Sequence, residues 1–286
     1  MKKTLLLALI LITILSGLKP KSAYQIFLAE KSKAVDFDKM MKGLRDADVV
    51  FFGEYHNNSI CHWLQLQVLK ELAASEEKKV IFGAEMFESD NQLIIDEYLK
   101  GYIREDHMVK EAKTWDNYET DYAPMVRFAK ENGISVVATN IPRRYASMVA
   151  RLGLKSLDNL EESAKAYIAP LPLDVDYNLS SYKELSGMSG HGRGTNMVDA
   201  QAIKDATMAH FISENWIPNS VFYHINGSFH SKERQGIVHY LQQQKPDLNI
   251  MTISIVYQDD LKKLEEENQM LADYVIAIPP DMTKTF

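Results

Sequence analysis

Short apolar runs that stop at a glycine or a polar residue recur along this chain, and stretches with helical periodicity separate them. The first run is DVVFF, Asp48 to Phe52: one polar residue, four consecutive β-branched or aromatic residues, then Gly53. That is the pattern of a short buried strand. Val80 to Gly83 repeats it within KKVIFGAEMF, and Ile134 to Ala138, Val221 to Ile225, Ile250 to Val256 and Tyr274 to Ile278 predict four further strands. A short helix is expected over Asp36 to Leu44. Asn57, Asn58 and Ser59 can cap the helix after the first strand, and Leu64, Val68 and Leu72 at i, i+4 and i+8 give it a core-facing stripe. Trp63 on that helix reads as core. Further helices are expected over Asn91 to Leu99 with Gly101 beyond its end, up to Gly133, after Pro142, and over Asn196 to Glu214. In the last of these Val198, Ala202, Ala206 and Ala209 form the core stripe, while Gln201, Asp205 and Met208 line the adjacent face. LKKLEEENQM, before the last strand, reads as a solvated charged face.

Strands alternating with helices at this spacing predict an α/β domain with a mainly parallel central sheet and helices on both faces. From Gly153 to Asn196 the pattern breaks. A helix candidate over Leu157 to Tyr167 leads to Pro170 and Pro172, then to SGMSGHGRG with its four glycines. A long, polar, glycine-rich connection of this kind predicts an inserted helical and loop lid over about residues 153–196. His191 lies among those glycines, where a solvated histidine and a ligand are both open readings.

In parallel sheets ligands bind beyond the carboxyl ends of the strands. Glu54, His56, Glu85 and Asn140 all fall just past such ends. Residues i and i+2 of an extended segment project to the same side, so Glu54 and His56 share one small volume. His230 lies three residues beyond Asn226-Gly227, and Gly227 allows the sharp turn that returns it to the sheet edge. Two carboxylates and two imidazoles at one rim are the residue types that hold a divalent metal or transfer a proton. No H-E-x-x-H helix accompanies them. A buried hydrogen-bond network that only orders the strand ends is the third reading. His62 is either a partner that orients a ligand or a solvated helix residue. His224, inside its strand, is read as a packed or hydrogen-bonded core residue. Trp115, Tyr118 and Tyr122 form an aromatic and phenolic cluster.

The chain has 286 residues, of which 46% are apolar, enough for one large domain with ample core. Its net charge of -7 comes without a basic stripe and argues against nucleic acid as a partner. Met1 to Ala23 has a basic start at Lys2 and Lys3 and an apolar run from Leu5 to Leu15, the pattern of a secretory signal peptide followed by a mature domain over 24–286. The alternatives are an uncleaved anchor or a buried helix. Leu15-Ser16-Gly17 resembles the segment before a lipid-bearing cysteine, but Leu18 occupies the cysteine's place, so lipidation there is excluded by chemistry. The expected location is the periplasm or cell envelope. Cys61 is the only cysteine, so no internal disulfide can form.

GEYHNNSICHWLQLQVL, FGAEMFESDNQ, the block from Trp115 to Arg144 (WDNYETDYAPMVRFAKENGISVVATNIPRR), AQAIKDATMAHFI and NGSFHSKERQGIVHYL, in this order, resemble the ChaN family of bacterial haem-binding envelope proteins. The resemblance runs from about Asp48 to the strand at Met251. It places the chain in a superfamily with Tiki-type metalloproteases and erythromycin esterases, in which a G-E-x-H-like segment, a later Glu and a late His gather at one rim. Residue by residue this implies Glu54, His56, Glu85 and His230. The resemblance also implies haem uptake through tyrosine in the service of iron acquisition, with paired subunits enclosing the ligand and an outer-membrane haem receptor as a partner. Tyrosinate is a recognised axial ligand of haem iron. Tyr118, Tyr122, Tyr145, Tyr177 and Tyr182 are the candidates near the expected mouth, with His191 as a further haem contact. No C-x-x-C-H is present, so covalent attachment is ruled out. The competing function is a metal-dependent hydrolase in which Glu54, His56, Glu85 and His230 hold the ion or activate water.

Overall fold

The computed structural model describes residues 22–75, 77–188 and 194–286. The expected leader core, Leu18 and His191 lie outside them. Eight strands form one sheet: β1 Gln25–Leu28, β2 Lys33–Val35, β3 Val49–Glu54, β4 Lys79–Glu88, β5 Ser135–Asn140, β6 Ser220–Gly227, β7 Ile250–Tyr257 and β8 Tyr274–Ile278. Their order is β2-β1-β8-β7-β3-β6-β4-β5. The six strands from β8 to β5 are mutually parallel, and the β1–β2 hairpin adds an antiparallel edge.

The expected α/β architecture with a mainly parallel sheet is therefore present. Two of its strands escaped the sequence pattern. β1 and β2 are short and lie in a charged stretch, and Lys33 and Ala34 face solvent, as edge strands commonly do.

The strands bury both faces because their apolar residues run without polar interruption. Val50, Phe52, Phe82, Tyr223 and Ile225 point to one side, where α1 (Phe37–Leu44), α2 (Ser59–Ala74), α3 (Gln92–Leu99), α4 (Glu105–Glu111) and α5 (Ala123–Glu131) cover them. Val49, Phe51, Ile81 and Phe222 point to the other. There α6 (Arg143–Leu152) and the long α9 (Gly194–Asn215) pack, together with α10 (Ile237–Gln244). Asp36 caps α1 by accepting from the Lys39 amide, and Asn58 caps α2 by accepting from that of Cys61.

The segment 153–188 is not the helix expected over Leu157 to Tyr167. It forms a 3-10 stretch, Leu154–Asn159, one turn of helix, α7 Glu162–Lys165, and then α8, Ser180–Met188. Leu157, Ile168, Ala169 and Tyr182 bury themselves in the second core, so tertiary packing holds the segment where periodicity was weak. Trp63 also departs from expectation. It is 49% exposed and meets the Tyr24 ring at 6.3 Å, because the stripe Leu64, Val68 and Leu72 turns it away from the sheet.

Candidate functional site: two half-sites meeting at the sheet rim

β3, β6 and β4 are adjacent, with Glu54 opposite Gly227 and Ala84 opposite Ile225. Strand alternation sends Glu54 to the same side as Val50 and Phe52, and Glu85 to the same side as Ile81. The two carboxylates thus rise on opposite faces of the sheet and meet only at its carboxyl rim. Glu54 is the last residue of β3, whereas Glu85 lies within β4, where the register with β5 shifts between Ala84 and Glu88. A local irregularity of this kind re-aims side chains at a sheet's end.

On the first face, Glu54 is a buried acceptor. His56 Nδ1 and the Tyr122 hydroxyl each reach its Oε1 at 2.7 Å, and the Gln65 amide donates to Oε2. Gln65 lies on α2, and Tyr122 ends a one-turn π-helix, Tyr118–Tyr122, that leads into α5. Such turns often mark functional positions. His62 packs against the same group. Its Nδ1 meets Gln65 Oε1 at 3.0 Å and its Nε2 the His56 carbonyl at 3.1 Å, so it is buried rather than solvated. Asn117 donates to that carbonyl and to Asp121.

On the second face, Glu85 accepts from the Gly227 amide at 2.7 Å and pairs with His230 Nε2 at 3.1 Å. His230 Nδ1 pairs closely with Asp205 of α9, and the Gln201 amide is 2.9 Å from the same nitrogen. Tyr182 of α8 donates to the other Asp205 oxygen at 2.8 Å. The face of α9 expected to look toward the rim does so through Gln201 and Asp205, while Met208 is fully buried in the core.

His56 joins the halves. A side-chain carbon at Gly227 would come within 3.0 Å of His56 Cε1 and 3.5 Å of Glu85 Oε2, so only glycine lets the imidazole lie over the end of β6. Trp115 meets the His56 ring edge to face at 4.9 Å. His56 is 41% exposed at its side chain, which opens the cluster to solvent at this one ring.

The electrostatics follow from this arrangement. Burial alone would strip His230 of its proton, but the charges of Glu85 and Asp205 and their hydrogen bonds overcome it and push its pKa up to about 10. Burial opposes the charge on Glu85 as well, yet the His230 and His56 charges and the Gly227 amide hold its carboxyl well below the usual range. His56 is raised: burial works against the cation, and the hydrogen bond that its Nδ1 donates to Glu54 and the charge of Glu85 outweigh it. Asp205 is raised by burial, which its pairing with His230 offsets only in part. His224 is pushed down to about 4 by burial and sits in the strand as a hydrogen-bonded core residue, with Thr139 and Asn226 as partners.

Residues 40–241 match the family model for haem-binding uptake, Tiki superfamily, ChaN. This chain belongs to the ChaN family. A structure of ChaN from Campylobacter jejuni, described as binding heme cofacially, superposes with a TM-score of 0.69 at 19% identity, covering 91% of this chain and 98% of that one. A Bacillus cereus protein superposes with a TM-score of 0.53 at 10% identity over 90% of this chain and 95% of its own. At such identities the likeness is one of fold. No curated protein matches the chain.

Of the residues that the ChaN resemblance implied, Glu54, His56, Glu85 and His230 do gather at one rim. Among the described residues, however, no three His, Cys, Asp or Glu side chains are arranged to hold a metal ion. The physical reason is pairing: each imidazole already meets a carboxylate. A resident divalent metal is therefore not supported.

The five tyrosines take different places. Tyr122 donates to Glu54 and Tyr182 to Asp205, one in each half-site. Tyr118 is buried and donates to Glu105, and Tyr177 donates to Asp199. Burial foremost, and then these carboxylates, raise the pKa of all four phenols, that of Tyr177 to about 12. Tyr145, on the first turn of α6, is half-buried, and Arg144 lies over its ring, 4.4 Å from the centroid. Its oxygen accepts from Arg144 Nη2 at 3.4 Å. Gln65, Asn117 and Asp121 went unread in the sequence. The i, i+3 spacing of His62 and Gln65 was the one available signal for the first.

Proposed function

We propose that this chain is an exported haem-binding protein of the cell envelope that serves iron acquisition, and that Tyr145 is the residue that takes the haem iron. Membership in the ChaN family supports the ligand class, and the Campylobacter relative is described as binding heme cofacially. The observation that carries the residue is the state of the phenols. Ferric iron takes tyrosine as the anionic phenolate. Four of the five candidates give their proton to a carboxylate, which opposes that state. Tyr145 instead accepts a hydrogen bond from a guanidinium, the partner a phenolate oxygen would keep. The imidazoles of the rim are poor alternatives, because His230 and His62 have both nitrogens engaged and His56 is tied to Glu54. Bound haem would supply its ferric iron and planar apolar faces. The chain's part is to orient one phenol and exclude water.

Pairing of two subunits around the ligand and transfer from an outer-membrane haem receptor belong to the same proposal, as does export by the leader over residues 1–23. The test is a titration of the purified chain with ferric haem, read in the visible spectrum. High-spin tyrosinate bands are expected for the native chain and not for Tyr145→Phe. The absence of any spectral change at micromolar haem would overturn the reading.

A second reading rests on the Glu85, His230 and Asp205 relay. A buried imidazole between two carboxylates, close to the half-open His56, is equipped for proton transfer in ester or amide hydrolysis without a metal. Turnover of generic esters that disappears in Glu85→Gln would support it. Equal turnover in the variant, or none in the native chain, would end it.

A further inference from the structure

The carboxylate Asp90 lies at the start of the segment after β4, and its Oδ2 receives Arg144 Nη1 at 2.6 Å. Its other oxygen, Oδ1, is buried and has no hydrogen-bond partner among the described residues. Arginine commonly grips a carboxylate with both arms, and a buried acceptor left without a donor is costly. Here the second arm is turned away from the acid and towards Tyr145, with Nη2 at 3.4 Å from the phenol oxygen and the guanidinium stacked on the ring. The contact is long for a neutral phenol. A phenolate, with a full charge, would draw the same donor to charge-assisted length.

We propose that Asp90 and Arg144 are positioning residues for the haem-binding phenol: Asp90 fixes one arm of the guanidinium so that the other holds the Tyr145 ring and stabilises its oxygen once the iron is bound. The inference rests on the haem reading given above. When the Tyr145 oxygen becomes a ligand, its proton leaves to water and the oxygen keeps its electron pair for the iron, so no further reactant is required. Arg144 then offsets part of the anionic charge on the ligand. Asp90, 18% exposed at its side chain, sets where that offset acts.

The experiment compares the haem-loaded full chain with Tyr145→Phe, Arg144→Gln, Arg144→Lys, Asp90→Asn and the Arg144→Gln/Asp90→Asn double variant. Haem release to excess apomyoglobin, the visible spectrum and the reduction potential are measured, with thermal melts to confirm folding. Arg144→Gln and Asp90→Asn should keep tyrosinate bands but release haem about tenfold faster, the lower end expected for a hydrogen bond to a charged group. The double variant should be no worse than Arg144→Gln alone, since the two act as one unit. Arg144→Gln should shift the potential to more negative values, because removing a cation beside the ligand favours the ferric state. Arg144→Lys should restore the potential in part and the release rate less, since lysine keeps the charge without the planar fork. Native release rates and potential in Arg144→Gln, with the bands lost only in Tyr145→Phe, would overturn this inference and leave the haem reading standing. Tyrosinate bands that persist in Tyr145→Phe would overturn both.

Discussion

His230 Nε2 lies 3.1 Å from Glu85 Oε1, and its other ring nitrogen is held by Asp205, so one buried imidazole is clamped between carboxylates from β4 and α9. The ion pair joins the turn after β6 to two elements distant in sequence. Its charge state must therefore appear in the stability of the whole domain.

The sign can be worked out from the shifts. His230 is raised from 6.5 to about 10, so its contribution is complete below pH 6.5 and is lost as pH climbs through about 10. His224 is lowered from 6.5 to about 4, so the stability from keeping it neutral is present above pH 6.5 and lost as pH falls through about 4. The depressed Glu85 adds to the acid limb below its ordinary 4.5. Urea denaturation should give a maximum near pH 6.5, with stability falling on either side. His230→Gln should flatten the basic limb, and His224→Gln the upper part of the acid limb. An unchanged basic limb in His230→Gln would refute the clamped cation.

Two glycines at the rim should respond differently to alanine. At Gly53 the new carbon would lie 2.9 Å from the Ser228 backbone, which cannot step aside, and 3.2 Å from Ser231 Oγ. At Gly227 it would meet His56 Cε1 at 3.0 Å, the end of a side chain that is part exposed. Gly53→Ala is expected to cost about 1–3 kcal/mol, the usual range for overpacking. Gly227→Ala should cost less but separate His56 from Glu54, visible as a shift of the His56 imidazole resonances. Equal urea midpoints for the two variants would contradict this ranking.

Glu54 and Tyr122 supply a further test. Tyr122→Phe removes a hydroxyl that donates to Glu54 Oε1 at 2.7 Å in a buried setting, and such losses run to about 1–3 kcal/mol. In a double-mutant cycle with Glu54→Gln, measured by urea denaturation, the coupling should fall within about 0.5–3 kcal/mol. Strict additivity would place the hydroxyl outside the network.

The sheet was legible in the chain because its strands are buried on both faces. Six apolar runs map onto β3 to β8, with Tyr274–Ile278 matching to the residue. Looking at the carboxyl ends of the strands also found Glu54, Glu85 and His230, since parallel topology sends every such end to one rim, although Glu54 closes β3 and Glu85 lies within a β4 longer than its apolar run. What escaped were features with no periodic trace. β1 has only the short run Ile26 to Leu28 and β2 has none, α4, α8 and α10 are short, and Trp63 faces solvent because its neighbours fill the core. Gln65 and Asp121 entered the site through tertiary approach of α2 and the π-turn, which no local pattern encodes. Separating Tyr145 from Tyr118, Tyr122, Tyr177 and Tyr182 required seeing what each hydroxyl touches.

Cys61 gives a measure of how firmly the rim is held. The thiol is fully buried at the start of α2, and burial, with the charge of Glu54 added, keeps its pKa well above the ordinary value. Thiolate is the reactive form, so the native chain should be inert to thiol reagents, with modification following opening of the structure. The first turn of α2 is pinned by Asn58, whose Oδ1 accepts from the Cys61 amide at 2.9 Å and whose Nδ2 donates to the Tyr257 hydroxyl. Asn58→Ala removes the cap and should cost about 0.5–2 kcal/mol. If α2 opens locally from that end, Cys61 labelling by a chromogenic disulfide should accelerate in Asn58→Ala by more than the change in global stability accounts for. Labelling that rises only in step with global unfolding would mean that the helix start and the sheet rim open as one unit.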